Sequence, residues 1–135
     1  QEEGARREVG GTTRSPGYFV EPTVFSAVSE SMTIAREEIF GPVLSVIPFD
    51  DLEEAARIAD ATEYGLAAGL WTRDVGKAHA LAARLRAGTV WVNTFNRFDA
   101  ASPYGGVKQS GFGRENGRAV LDELTQIKSV WVALG

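Results

Sequence analysis

The sequence predicts an α/β fold: an open, mostly parallel sheet with βαβαβ units, followed by a terminal strand. Two observations carry this. Short apolar runs of strand length at 43–49, 66–72 and 89–93 alternate with two stretches of helical periodicity. The connections between them are short, and a strand–helix–strand unit closes as a right-handed crossover onto a parallel neighbour.

The elements follow in chain order. Residues 1–16 carry charges, glycines and threonines up to Pro16 and read as a polar lead-in. GYFVEPTVF (17–25) is aromatic and β-branched but interrupted by Pro22, which cannot donate to a ladder, so two short strands or an edge are expected. VLSVIPF (43–49) reads as the next strand. Asp50 and Asp51, with Glu53 and Glu54 three residues after each, form a capping-box pattern ahead of Leu52, Ala55, Ala56, Ile58 and Ala59 at helical spacing. LAAGLWT (66–72) follows. Asp74 is placed to cap a helix running to Arg86, with Ala78, Leu81, Ala82 and Leu85 on one face and Gly88 at the position of a C-terminal glycine. TVWVN (89–93) is the third strand of the alternating pattern. A polar helix is expected over 113–124, and IKSVWVAL (127–134) closes the chain as a strand.

Composition narrows the function classes. The 135 residues carry 14 basic and 18 acidic side chains, a net charge of −4, so no basic excess exists to neutralise phosphates, and nucleic acid and anionic membranes are excluded as expected partners. No stretch approaches the roughly 20 apolar residues that span a bilayer. The first ten residues are polar and hold no secretory core, so the cytoplasm is the expected compartment. With no cysteine, these residues supply no disulfide, no thiolate metal site and no catalytic thiol. No metal-ligand spacing is present. The single methionine is Met32, so the chain reads as processed or as a piece of something longer, and the motifs favour the second.

The loop Thr94–Phe112, TFNRFDAASPYGGVKQSGF, leaves from the carboxyl edge of the parallel strands, where ligands collect in such sheets. It exceeds the roughly 12–15 residues beyond which structureless loops become uncommon. Phe95, Phe98, Tyr104 and Phe112 argue against disorder. Glycines beside aromatics suggest backbone turning against a cleft whose wall the rings form. A dinucleotide fingerprint is rejected: Gly111, Gly113 and Gly117 are misspaced by one residue and follow a loop instead of a strand.

Four stretches in order, GYFVEPTVF (17–25), MTIAREEIFGPV (32–43), YGLAAGLWTRD (64–74) and GTVWVN…SPYGGVKQSGFGRENG (88–117), resemble the aldehyde dehydrogenase superfamily. Their order and spacing cover most of residues 17–135. The resemblance implies the C-terminal portion of the catalytic domain at 17–124 and an oligomerisation strand at 125–135, after the lead-in 1–16. It implies oxidation of an aldehyde to an acid with NAD or NADP. In the family a cysteine attacks the aldehyde, hydride passes to nicotinamide, and a glutamate activates the water that releases the acid. Nucleophile, base and pyrophosphate-binding portion lie N-terminal to the matched region in the family. The expected partners are therefore a small aldehyde, the missing N-terminal portion, and further copies joined through 127–134. No catalytic residue is expected here, and the 135 residues alone should not catalyse.

Residue by residue, Glu38 matches the family glutamate that hydrogen-bonds the nicotinamide-ribose hydroxyls, and Phe40 the aromatic beside the nicotinamide end. Gly41-Pro42 sets the turn that presents both. Phe98 and Tyr104 match positions that line the aldehyde tunnel, with Thr94 as a neighbour. Tyr104 replaces the commoner phenylalanine there, which bears on substrate choice. The aromatic wall suggests an apolar or aromatic aldehyde, and an aminoaldehyde in an aromatic cage is the alternative.

Plainer readings stand beside these. By pattern alone Glu37 and Glu38 are a solvated turn and Phe40 is core; the IFGPV match singles out Glu38 and Phe40. Phe98 and Tyr104 also read as ordinary loop anchors. His79 is a lone helix histidine, structural or exposed. Lys108 reads as a solvated loop lysine. Trp71, Trp91 and Trp131 read as core or interface. The terminal strand also reads as an edge strand of this domain, and if unpartnered it invites association. The alternative function is a non-catalytic truncated assembly module.

Overall fold

The computed structural model describes residues 2–135. They form two compact units, one up to Glu63 and one from Tyr64 onward.

In the first unit, β1 (Arg6–Val9) runs antiparallel to β4 (Thr23–Ser26), and β4 runs parallel to β5 (Val43–Ser45). A two-residue pair, β2 (Thr13–Arg14) with β3 (Phe19–Val20), forms a separate antiparallel ribbon. The lead-in 1–16, read as merely polar, thus contributes two strands. Their side chains are exposed, so neither hydrophobic alternation nor length announces them. They are held by ladder bonds and by charge: the Glu21 carboxylate accepts from the Thr12 hydroxyl and from Arg14, and the Glu8 carboxylate accepts from the Ser26 hydroxyl and from Arg6.

Pro22 falls between β3 and β4, where the interrupted run 17–25 places a break. A four-residue helix, α1 (Thr33–Arg36), precedes β5. No side chain of its own start caps it. Instead the distant Glu3 carboxylate accepts from the Thr33 amide at 2.7 Å and the Thr33 hydroxyl at 2.8 Å, covering an orphan donor of the first turn. The expected strand 43–49 is paired over its first three residues only. α2 (Leu52–Asp60) begins as the pattern predicts: Asp51 accepts from the Glu54 amide at 2.8 Å, while the Glu54 carboxylate reaches back to the Asp50 amide at 2.8 Å. Ala56 is its buried residue, and Ala5 and Val28 complete the small apolar core of this unit.

In the second unit, β6 (Ala67–Leu70) and β7 (Thr89–Val92) pair in parallel, with α3 (Val75–Arg84) as the crossover between them. Asp74 caps α3 by accepting from the Lys77 amide at 3.0 Å. Leu70, Ala78 and Trp91 are buried, one from each element. β5 and β6 belong to separate sheets, so the βαβαβ pattern is realised as two parallel pairs.

Several expectations need correction. α3 stops at Arg84, and Gly88 is no helix cap: it sits where a Cβ would lie 1.6 Å from the Gly105 carbonyl oxygen, so its role is close backbone approach. The helix expected over 113–124 is confined to α4 (Ala119–Leu124). Upstream of it Tyr104 and Glu115 exchange two backbone bonds of 2.7 Å, and Asn116 and Gly117 take positive φ, which a helix cannot use. Among the described residues, 127–134 form no strand and pair with none, so the terminal strand expected there is not formed within this unit. Of the three tryptophans read as core or interface, Trp91 is core, while Trp131 in that segment and Trp71 after β6 are 93% and 65% exposed, which leaves them the interface reading. Among the described residues no helix is long and apolar enough to cross a membrane.

Candidate functional site

In the first unit, Glu38 and Phe40 lie on the connection between α1 and β5. The backbone there makes two tight turns in succession: the Gly41 amide donates to the Ile39 carbonyl at 2.7 Å, and the Val43 amide to the Gly41 carbonyl at 2.8 Å. Phe40 and Pro42 are the central residues of these three-residue turns, a shape that the fixed φ of proline suits. The Pro42 carbonyl accepts from the Thr23 amide of β4 at 2.8 Å, which anchors the turn to the sheet. Gly41 does not need to be glycine for its φ, and an added Cβ would meet only Ile39 at 3.8 Å. The turn pushes its side chains outward. Phe40 is 95% exposed, an uncommon state for so large an apolar ring, and the exposed Glu38 carboxylate has no hydrogen-bond or ion-pair partner among the described residues. Both of its oxygens are therefore available to a pair of donors.

In the second unit, the loop after β7 is ordered by backbone contacts. Asn93 takes φ 53°, a left-handed conformation that asparagine tolerates. Its side-chain amide bonds both the amide and the carbonyl of Thr72 at 2.8 Å, prolonging the β6–β7 pairing with side-chain groups. The Gly65 carbonyl accepts from the amides of Gly88 and Val107, each at 3.0 Å. The Arg114 guanidinium donates to the carbonyls of Gly106 at 2.9 Å and Gly113 at 2.6 Å. Glycines of this loop thus serve close packing of backbone.

On this base an aromatic wall stands. Phe98 packs edge-on to Trp91, with ring centres 5.6 Å apart, and edge-on to Tyr104, at 4.9 Å. Phe95 packs edge-on to Trp91 at 5.0 Å. Edge-to-face pairs of this kind fix ring orientation as well as burying area. The Trp91 indole N–H donates to the Arg97 carbonyl at 2.8 Å, tying the loop to the strand beneath it. Between β7 and the loop lies a cavity of about 300 Å³ lined by Trp91, Phe98 and Tyr104, together with Thr89, Arg97 and Asp99. Phe98 and Tyr104 are therefore brought together. Thr94 is half-buried one residue beyond Asn93 and does not line this cavity. His79 is exposed on α3, and Lys108 is half-buried in a short 3-10 turn. Arg97 lies outside the quoted motifs, and Thr89, though within GTVWVN, is given no site role by it; the fold brings both to the cavity.

The chain resembles known proteins along nearly its whole length. The model of the aldehyde dehydrogenase family matches residues 1–130. DhaS of Bacillus subtilis is 58% identical over 135 residues, which cover 99% of this chain and 27% of that protein. A betaine aldehyde dehydrogenase of Cereibacter sphaeroides is 52% identical over 134 residues, 98% of this chain and 28% of that protein. Among solved structures, an NAD+ complex of an aldehyde dehydrogenase from Bacillus cereus superposes with a TM-score of 0.92 at 52% identity, covering 99% of this chain and 28% of that one. A mutant of the indole-3-acetaldehyde dehydrogenase AldA from P. syringae, in complex with NAD+ and IAA, gives 0.92 at 50% identity, covering 98% and 28%. The chain thus spans little more than a quarter of the length of these relatives. On the family match and the shared fold, it belongs to the aldehyde dehydrogenase family.

Proposed function

We propose that these residues are the C-terminal part of an NAD(P)-dependent aldehyde dehydrogenase of the cytoplasm, which oxidises an aldehyde to a carboxylic acid. The observation that carries the reading is the outward-facing, unpartnered Glu38 carboxylate beside the exposed Phe40 ring on an anchored turn, in a chain of this family. A carboxylate with both oxygens available suits two neighbouring hydroxyls, such as those of the nicotinamide ribose. An exposed ring next to it suits the apolar side of the nicotinamide end. When bound, the cofactor supplies the hydride acceptor. Glu38 orients it by accepting two hydrogen bonds, and Phe40 keeps water from that side.

Phe98 and Tyr104 form one wall of the aldehyde site, with Thr94 at its border. Their mutual edge-to-face packing gives that wall a fixed shape before substrate arrives. Residues 127–134 join subunits as an added strand. Ile127, Val130, Trp131, Val132 and Leu134 are exposed there and meet no strand among the described residues, which leaves their backbone groups available to a neighbour's sheet. The chain has no cysteine to attack an aldehyde, so the 135 residues alone turn over no substrate.

Glu38→Gln in the full-length enzyme tests the cofactor assignment. It replaces charge-assisted acceptance with a neutral amide and is expected to weaken cofactor binding by about tenfold. Because Glu38 is exposed and unpartnered, the melting temperature should stay unchanged. Wild-type cofactor affinity and turnover in this variant would remove the assigned role.

A further inference from the structure

The turn that carries Glu38 and Phe40 has two ends. Its downstream end is fixed to β4 by the bond from the Thr23 amide to the Pro42 carbonyl. Its upstream end emerges from α1, which has four residues, and a helix so short does not persist in water by itself. Met32 stands where a capping residue belongs, and its side chain makes no cap bond. The holding group comes from a residue 30 positions earlier: one oxygen of the Glu3 carboxylate accepts from the Thr33 amide at 2.7 Å and the other from the Thr33 hydroxyl at 2.8 Å. These two bonds, the hydroxyl first, hold the Glu3 carboxyl below the ordinary glutamate value of 4.5, so near neutral pH both oxygens are acceptors. The Thr33 carbonyl in turn accepts from the Glu37 amide at 2.9 Å. Thr33 thus connects Glu3 with the residue immediately before Glu38. Glu3 itself sits on a fixed backbone: Ala5 is buried in the core of this unit, and Gly4 lies so that an added Cβ would meet the Met32 methyl at 3.7 Å.

We infer that Glu3 is a positioning residue for the cofactor: by fastening Thr33 it sets where α1 begins, and so where the Glu38 carboxylate stands, without touching the cofactor. This rests on the proposed cofactor role of Glu38 and names the residue behind it. Glu38 has no side-chain partner among the described residues, so its position is dictated by the backbone beneath it. A carboxylate that accepts from two neighbouring hydroxyls must be held to within about 0.5 Å of the productive geometry by a supporting layer of contacts. With Thr33 released, the segment from Met32 to Gly41 loses its upstream fastening, and cofactor binding has to order it at the cost of backbone entropy. The Ser45 hydroxyl reaches the Ile34 carbonyl at 3.4 Å, a long bond that gives the helix only a weak second tie.

The test is a double-mutant cycle in the full-length enzyme, read as the Kd for NAD+ and for NADP+. Glu3→Ala should raise the Kd by about threefold. Glu3→Gln should do less, because its amide oxygen can still accept from the Thr33 amide. Thr33→Val, which deletes the hydroxyl and keeps the shape, should raise the Kd by about twofold, and Thr33→Ser should restore it. The KM for aldehyde at saturating cofactor should not move. In the Glu38→Gln background Glu3→Ala should cost no further affinity, since the carboxylate it positions is already gone. A role in stability alone would lower the melting temperature and leave every Kd unchanged. Wild-type affinity in Glu3→Ala or in Thr33→Val, or an undiminished loss in the Glu38→Gln background, overturns this inference and leaves the role of Glu38 standing. Wild-type affinity in Glu38→Gln overturns both. Should Glu3→Ala not fold, Thr33→Val completes the same cycle with the same outcomes.

Discussion

The turn bearing Glu38 and Phe40 and the loop bearing Phe98 and Tyr104 are held by different means. The first is short, made from two three-residue turns, fastened to β4 by one bond between Thr23 and Pro42, and its side chains project into solvent. The second is long and laced to its own strand. Backbone glycines touch carbonyls, Arg114 ties two carbonyls together, and five aromatic residues brace one another. The difference follows from what each must do. A carboxylate that receives a flexible ligand needs access and one fixed backbone point. A wall that judges the shape of a substrate needs rings that do not move, and ring orientation is set only by mutual packing.

Glycine substitutions should break this contrast most sharply. Gly88→Ala would place a methyl 1.6 Å from the Gly105 carbonyl oxygen, which is backbone and cannot swing aside. A loss of about 3 kcal/mol or more of stability is expected, read by denaturant unfolding. Gly41→Ala in the other region meets nothing closer than 3.8 Å and should change stability by under about 0.5 kcal/mol. Equal losses at the two sites would show that the turn is as tightly packed as the loop.

The helix caps give a smaller effect that should be alike in both units. Asp51→Ala removes the acceptor for the Glu54 amide, and Asp74→Ala removes that for the Lys77 amide. Each is expected to cost about 1 kcal/mol. A markedly larger loss from one of them would mean that its helix supports more of the fold than its own first turn.

Acid sharpens the comparison with the least effect. Glu8 is held below the ordinary glutamate value of 4.5 first by the Ser26 hydroxyl and then by Arg6, and Glu21 first by the Thr12 hydroxyl and then by Arg14. The folded state therefore keeps these carboxylates charged at a pH where the unfolded chain has taken up protons. Their contribution is complete above 4.5 and is lost as pH falls through the lowered folded values. Glu8 is exposed and Glu21 only half-buried, so solvent screens both and the loss should be small. Amide exchange measured at pH 6 and pH 3.5 should show β1–β4 losing more protection than β6–β7. Equal losses would assign the acid response elsewhere.

Local chemistry made much of this legible. Asp51 and Asp74 cap because a short carboxylate ahead of an apolar-periodic stretch satisfies an orphan amide wherever the helix lies in space. β6, α3 and β7 follow from periodicity, and Phe98 and Tyr104 were marked by rings among glycines. What stayed hidden depends on partners distant along the chain. Arg6–Val9 is a strand because β4 lies beside it, although its own exposed residues show no alternation. Residues 113–118 are denied a helix by the bridge from Tyr104, not by their own propensity. Thr89 and Arg97 come to line one cavity only once β7 and the loop face each other.

Sequence by itself therefore determined α2 and the start of α3, the parallel pairing of β6 with β7, the family, and the identity of the exposed carboxylate, because caps, periodicity and short motifs act within a few residues. Tertiary structure alone decided which glycines are packing contacts, which tryptophan is buried, and which residues line an aromatic cavity. Those are properties of distances between segments far apart along the chain, and no local pattern encodes a distance that folding has yet to create.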